Sequence, residues 1–393
     1  MTNSHSKRKK IESRTIQSKK ATTRKVVAKK ITKKNLKPKK VLVGMSGGVD
    51  SSVAAALLKE QGYEVAGVFL HFWKDESAGG RKENRCCSLE SLLDAKAVAA
   101  KIGIPLFTLD YSGEFKEQVV DSFLSEYQAG RTPNPCVTCN KKIKTARLLK
   151  QARALGFDYL ATGHYLKIEE QGKEKVLLRA RDKNKDQTYF LYTMTQDELK
   201  HLLFPLGNFK KPQVRKLAEK YGLPVASKGE SQDICFLAGD HNIFLKKYLK
   251  LNAGDIRILG TEEKIGEHLG LPLYTIGQRR GLVGGIGPFY VADFDYKNNV
   301  LYVVKDWNDK ILYQREFKVE DTNWLSSKAP KKKFKAQVVI RYGHKAVNCE
   351  VSPLKKKNTY QVAFSRPQRA VTPGQSAVFY DGQKVLGGGI IVL

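Results

Sequence analysis

The sequence predicts a doubly wound parallel α/β domain, then a small central domain and a C-terminal antiparallel β-barrel. Three observations carry this. Short continuous apolar runs, VLVGM (41–45) first, mark strands buried on both faces. These runs alternate with amphipathic helical stretches that close at glycine. Beyond about residue 300 come short alternating strands, separated by turn residues at roughly 8–12-residue spacing.

The elements follow in order. VLVGM leads through SGGVDSS into the helix VAAALLKEQG, closed by Gly62, and YEVAGVFLHFW is the second strand. LESLLDAKAVAAKIG is a helix ending at Gly103, and IPLFTLDY is the third strand. FKEQVVDSFLSEYQAG is a helix ending at Gly130; ARLLKQARALG is helical again, and FDYLATGHY is a strand. After about residue 240 the texture becomes mixed and glycine-rich, with YTIGQRRGLVGGIG. VLYVVKD, KFKAQVVIRYG, KAVNCEVS, TYQVAFS, QSAVFYDG and KVLGGGIIVL then read as strands. The expected division is a disordered basic tail over 1–40, an α/β domain over 41–240, a central domain over 241–306 and a barrel over 307–393.

The 393 residues carry a formal charge of +31 and are 41% hydrophobic, the profile of a globular chain with an affinity for polyanions. Residues 1–40 hold sixteen Lys and Arg against Glu12 alone, so roughly half of the excess lies in the tail. An RNA-affinity arm is the favoured reading, because counterion release rewards many lysine contacts without any fold. No apolar run is long enough to span a membrane, and the N-terminus lacks a secretory apolar core, so a cytoplasmic location is expected. The six cysteines, at 86, 87, 136, 139, 235 and 349, are too few for a disulfide scaffold and point to metal binding or catalysis. Cys136 and Cys139 form a C-x-x-C pair, but no second pair or H-x₃₋₅-H completes a zinc knuckle.

SGGVDSS (46–52) lies between a buried strand and a helix, where glycines allow close backbone approach and the helix N-terminus offers aligned N–H groups to phosphate. Asp50 is placed to hold Mg²⁺. The Walker pattern is absent. A plain glycine turn capped by serine is the alternative.

SGGVDSS resembles the pyrophosphate loop of the ATP pyrophosphatase families, which adenylate a substrate and release pyrophosphate. GMSGGVDSS, AGRTPNPxxxCN, ATGHY, KDQTYFLY, KPQVRKLAEKYGL, ICF, IGEHLGL, IGQRRGL, RY, TPGQSAVFY and GGGII occur in the order found in the tRNA-specific 2-thiouridylase family, from Gly44 to Ile391. The resemblance implies ATP-dependent replacement of the C2 oxygen of the wobble uridine (position 34) by sulfur in tRNAs for Lys, Glu and Gln. It implies that Cys235 carries a persulfide and that Cys139 resolves it through a transient disulfide. A cysteine desulfurase or sulfur-relay protein would then be the sulfur donor. Making a thiocarbonyl needs an activated oxygen leaving group, hence ATP, and a carrier that can be relieved of its sulfur, hence two thiols. Lys141, Lys142 and Lys228 are the kind of cations that favour thiolates.

By the same resemblance Gly44, Met45, Ser46, Gly47, Gly48, Val49, Asp50 and Ser51 cradle ATP, and Gly163 lies against the nucleotide. Leu70 stands where the family usually has Met, in the adenine pocket; a core residue is equally consistent. Asn134 and Pro135 border the target base, which must leave the anticodon stack. His164, Lys185, Asp186 and Gln187 contact tRNA, and Arg341, Tyr342 and Gln375 grip the anticodon arm. The chain departs from the family at Cys136, where an aspartate is usual. Three sulfurs, Cys136, Cys139 and Cys235, then leave three alternatives: persulfide chemistry alone, a 4Fe-4S cluster on those cysteines, or an inert Cys136. An ammonia-using synthetase and an RNA-binding protein with a dead nucleotide site are the rival classes.

Overall fold

The computed structural model describes residues 38–73, 88–229, 234–237, 239–282 and 287–393. Residues 1–37 of the basic arm and the pair Cys86–Cys87 lie outside the described residues.

The chain runs through β1 (Lys40–Gly44), α1 (Val49–Glu60), β2 (Glu64–His71), α2 (Leu89–Ile102) and β3 (Leu106–Asp110). Val41, Leu42 and Val43 are wholly buried, as a strand covered on both faces requires. Ser88 caps α2 by accepting from Ser91 N–H, and Gly103 closes it in the left-handed conformation. A long helical passage follows: α3 (Ser112–Phe115), a π-type stretch over Lys116–Asp121, and α4 (Ser122–Gln128). After a break come α5 (Pro135–Cys139), a second π-type stretch over Asn140–Arg147, and α6 (Leu148–Ala154). The helix expected to begin near Ala146 thus already starts at Pro135, capped by the Asn134 side chain, with Pro135 at a first-turn position where its missing N–H costs nothing. The wide turns beyond Cys139 are braced by Thr145 Oγ1, which donates to Asn140 O at 2.8 Å.

Then come β4 (Tyr159–Ala161), the hairpin of β5 (Leu166–Gln171) and β6 (Glu174–Arg179), α7 (Gln196–Lys200), β7 (Leu202–Leu203) and α8 (Lys211–Lys220). The first sheet is parallel throughout, ordered β3-β2-β1-β4-β7. Connections turn one way from β1 to β3 and the other way at β4, so a crevice opens beyond the carboxyl ends of β1 and β4.

After α9 (His241–Tyr248), the central domain is a four-stranded sheet of β8 (Gly254–Ile258), β9 (Lys264–His268), β10 (Tyr290–Asp295) and β11 (Val300–Val304), ordered β10-β11-β8-β9. The last part comprises β12 (Tyr313–Trp324), β13 (Phe334–Val339), β14 (Val347–Pro353), β15 (Tyr360–Arg369), β16 (Ser376–Asp381) and β17 (Lys384–Val392). Pairing of β12 with both β15 and β17 closes these six antiparallel strands into the expected barrel. Its core includes Phe317, Val351, Val362 and Phe379, with Trp324 stacked on Phe379. The β5–β6 hairpin, unread in the sequence, attaches to β17 through Leu178 and Lys384. No helix among the described residues is long and apolar enough to cross a membrane.

His268 in β9 is fully buried; Gly270 N–H donates to its Nδ1 at 3.1 Å, and its Nε2 lies 3.1 Å from Asn299 O. The ring is therefore held neutral, with its hydrogen on Nε2, and burial lowers its pKa. The unfolded chain takes up the extra proton first, so stability is complete above about pH 6.5 and declines as pH falls below it. Urea unfolding at pH 7.5 and 5.5 should show that decline. His268→Gln should lessen it; an undiminished decline would clear His268 of the effect.

Candidate active site

The loop after β1 lies at the crevice. Met45 N–H still serves the sheet, donating to Val68 O at 2.8 Å, and the Met45 and Val49 side chains are buried. These two residues of the expected ATP cradle can therefore offer backbone only. Gly47 has φ +69°, and a Cβ there would lie 2.2 Å from Ser91 O, so no side chain fits between the loop and α2. Ser46 N–H donates to Ser51 Oγ at 3.2 Å, and Ser52 Oγ donates to Gly48 O at 2.8 Å, tying the loop onto α1. Gly48 caps α1 without a side chain, which leaves the first-turn N–H groups directed out of the helix end. Across the crevice, a Cβ on Gly163 would lie 2.7 Å from Ser51 N, so the end of β4 touches the start of α1 backbone to backbone. Leu70 is buried one residue before the end of β2.

Asp50 is not left to a metal alone. Lys211 Nζ reaches its two oxygens at 2.7 and 2.8 Å, and Tyr165 O–H donates to Oδ1 at 2.7 Å. Lys211 is itself buried at the first turn of α8. Sequence reasoning missed both partners, because nothing in KPQVRKLAEKYGL marks one lysine as facing a loop 161 residues away. A carboxylate already paired in this way, with no group of three metal-ligating side chains gathered among the described residues, suits Mg²⁺ that takes its other ligands from phosphate and water.

Tyr165 links this loop to the next motif. Its N–H donates to Gln187 Oε1 at 2.9 Å, and Gln187 N–H donates to Tyr165 O at 3.0 Å. Asp186 is buried, accepting from Ala180 N–H, Arg179 and Thr188 Oγ1. Within this motif, Asp186 and Gln187, both expected to touch tRNA, thus also brace the protein itself; Lys185 is half-buried. His164 is half-buried, with Nδ1 2.7 Å from Thr162 Oγ1 and its ring edge-on to Phe204. Burial, with the charge of Lys144 added, pushes its pKa down to about 3, so any RNA contact is made by a neutral imidazole.

The cysteine turn is bracketed by Tyr189 and Phe190. Asn134 hydrogen-bonds the Tyr189 side chain at one end, and Asn140 Nδ2 donates to Phe190 O at 3.1 Å at the other. Pro135 and Cys139 are buried, the latter 4% exposed, whereas Cys136 is half-buried. Tyr342 of the barrel, 44% exposed, lays its ring 4.4 Å from Phe190, and partial burial raises its pKa. Arg341 donates to Thr372 Oγ1 at 3.2 Å. Gln375, expected to read RNA, donates from Nε2 to Thr132 O at 2.8 Å and Pro133 O at 3.3 Å.

Cys235 is half-buried against the same core, and none of Cys136, Cys139 and Cys235 is in a disulfide. Lys228, expected to favour its thiolate, is instead paired with Asp94 and Glu90 of α2. Lys141 and Lys142 are exposed. Among the described residues, which include all three cysteines, no group of three His, Cys, Asp or Glu is gathered to hold a metal ion. This arrangement gives no support to the cluster alternative, in which three thiolates converge to ligate one iron–sulfur cube.

Comparison with known proteins agrees with this arrangement. Residues 39–239 match the profile of the tRNA methyl transferase HUP domain, 242–305 its PRC-barrel domain, and 314–391 the aminomethyltransferase beta-barrel domain. The tRNA-specific 2-thiouridylase MnmA 2 of Caldanaerobacter subterraneus subsp. tengcongensis is 48% identical over 364 residues, covering 90% of this chain and 98% of its own. MnmA 1 of Thermoanaerobacter sp. (strain X514) is 46% identical with the same coverage. MnmA of Clostridium botulinum (strain Alaska E43 / Type E3) is 42% identical over 91% of this chain and 98% of its own. With the glycine cradle at the sheet's switch point and both cysteines of the motif set in place, this chain belongs to the tRNA-specific 2-thiouridylase family.

Proposed function

We propose that the chain is a tRNA-uridine 2-sulfurtransferase that thiolates the wobble uridine, position 34, of tRNAs for Lys, Glu and Gln, acting in the cytoplasm. The observation that supports it most is the short path of hydrogen bonds and close contacts between two chemistries. Gly163 closes on the glycine loop, Tyr165 binds Gln187, and Tyr189–Phe190 bracket the cysteine turn.

The loop from Gly44 to Ser51 holds the ATP phosphates through backbone N–H groups and the α1 N-terminus, and Leu70 borders the adenine. Mg²⁺, held by Asp50, phosphate and water, would neutralise charge on the leaving pyrophosphate. Lys211 keeps Asp50 aimed at that position. The target uracil leaves the anticodon stack and lies beside Asn134, Pro135 and Tyr342, with the exposed Tyr342 ring as a stacking surface. Its O2 attacks the α-phosphorus and pyrophosphate departs. The terminal sulfur of a persulfide on Cys235, supplied by a desulfurase or relay protein, attacks C2, and AMP leaves carrying the former O2. Cys139 thiolate then attacks the Cys235 sulfur, which leaves the transferred sulfur on the base and forms a Cys139–Cys235 disulfide. An external dithiol then reduces that disulfide, supplying two electrons and two protons and becoming a disulfide itself. Arg341 serves the anticodon-arm phosphates, and Cys136, beside Tyr342, faces the base rather than a metal. In functional terms, ATP chemistry falls to 41–240, the linking role to 241–306 and RNA grip to 307–393.

Incubating tRNA with ATP, Mg²⁺ and a persulfide source, followed by nucleoside mass analysis, should yield 2-thiouridine. Cys235→Ala and Cys139→Ala should each lower the yield at least a hundredfold, while ATP–pyrophosphate exchange persists. Full 2-thiouridine formation by Cys235→Ala would overturn the persulfide route.

Lys211→Met should raise the KM for ATP about tenfold or more, equivalent to roughly 1.4 kcal/mol of lost binding. Lys211→Arg should recover part of it. An unchanged KM would remove Lys211 from the site.

Removing residues 1–37 should weaken tRNA binding and flatten the slope of log affinity against log salt, with the modified uridine unchanged. Filter binding across a salt series measures this, and equal slopes would mean that the arm does not touch RNA.

A further inference from the structure

Two other parts of the chain converge on the two residues before the cysteine turn. From the barrel, Pro373 O accepts from Thr132 N–H at 2.9 Å, and Gln375 Nε2 donates to the Thr132 and Pro133 carbonyls. From the central domain, Thr275 Oγ1 lies 3.1 Å from Thr132 Oγ1. Gly374, at φ +89°, fits flush: a Cβ there would lie 2.9 Å from both Arg131 Cβ and Thr132 N. The next barrel residue, Ser376, accepts through its carbonyl from Tyr189 O–H at 2.9 Å, and Tyr189 in turn is hydrogen-bonded by Asn134. One barrel loop, residues 372–376, therefore fixes both the entry to the cysteine helix and the aromatic wall beside it.

We infer that Gln375 is a positioning residue for the Cys139 thiol, and that the barrel sets the cysteine turn before any RNA arrives. This rests on the reading of Cys139 as the working thiol. The physical grounds are direct. Thr132 and Pro133 have no helix or strand of their own, so their carbonyls depend on Gln375 for a partner. α5 is a five-residue helix whose direction follows from the chain entering it. Removing the amide donor leaves two carbonyls without that partner and frees the entry segment. The buried Cys139 then gains access to water, because local opening costs least where few hydrogen bonds hold a loop. The amide nitrogen is thus committed inward, leaving only Oε1 for an outside ligand.

The test needs neither RNA nor ATP. The full chain is alkylated with iodoacetamide across pH 6–10, and each cysteine is followed by mass spectrometry. Gln375→Met keeps the length and removes the donor; Gly374→Ala pushes on the same segment from the neighbouring residue. Both should raise the Cys139 rate at least about fivefold and move its pH profile, with Cys235 and Cys349 within about twofold of the parent chain. An unchanged Cys139 profile in Gln375→Met overturns the inference, and so does a parallel rise at every cysteine, which signals general loosening. If Gln375→Met does not fold, Gly374→Ala decides alone by the same criteria. Because alkylation reports position and not thiolation, absence of 2-thiouridine would sink the functional reading while leaving this result intact.

Discussion

Everything at the site follows from one close approach: Gly163 at the end of β4 against Ser51 at the start of α1. The parallel sheet puts β1 and β4 side by side, so whatever follows their carboxyl ends must share one crevice. Only a residue without a side chain lets the backbones meet. That contact carries the chain on to Tyr165, which reaches Asp50 with its hydroxyl and Gln187 with its backbone. The KDQTYFLY segment then turns its buried tyrosines towards the barrel, and Thr188 and Tyr192 meet Tyr380 and Ser376 there. Nucleotide loop, cysteine turn and barrel are consequently parts of one hydrogen-bonded path.

Electrostatics divides along that path. About half of the basic excess falls within the first forty residues, and among the described residues lysines such as Lys141 and Lys142 are exposed, where charge is screened. Within the site, cations are spent locally: Lys211 on Asp50, Arg179 on Asp186, Lys228 on Asp94. Such pairs hold geometry more than they add attraction, since taking charges from water offsets most of their Coulomb gain. The cations of the site are thus committed to internal partners rather than to solvent.

Much of this was legible in the sequence, and the limits have physical causes. SGGVDSS could be read because its meaning is local: a buried strand before, a helix after, glycines between. The alternating C-terminal strands could be read because pleating has a period of two. Long-range pairs leave no such trace, so Lys211, Tyr165 and the clasp on Thr132 were not visible. Asp186, Gln187 and Gln375 came to RNA through the family resemblance alone, since no local pattern says which atoms a polar side chain meets. In the fold they also satisfy donors and carbonyls of the protein itself. Cys136 could be flagged as unusual, but only three-dimensional placement separates three cysteines in a sequence from three converging ligands.

The hairpin that joins the barrel has a consequence for how the molecule is made. Lys384 reaches Gln171 across 213 residues, and β12 closes on β17, the final strand of the chain. Contacts that distant are the slow ones, since the intervening chain must be gathered before any of them forms. On a ribosome the nucleotide-binding half emerges and folds early, while the hairpin edge waits for the last ten or so residues. Maturation of the cysteine turn is therefore a late event, coupled to completion of the polypeptide, and a chain cut short near its end forfeits its chemistry although its ATP loop is already formed.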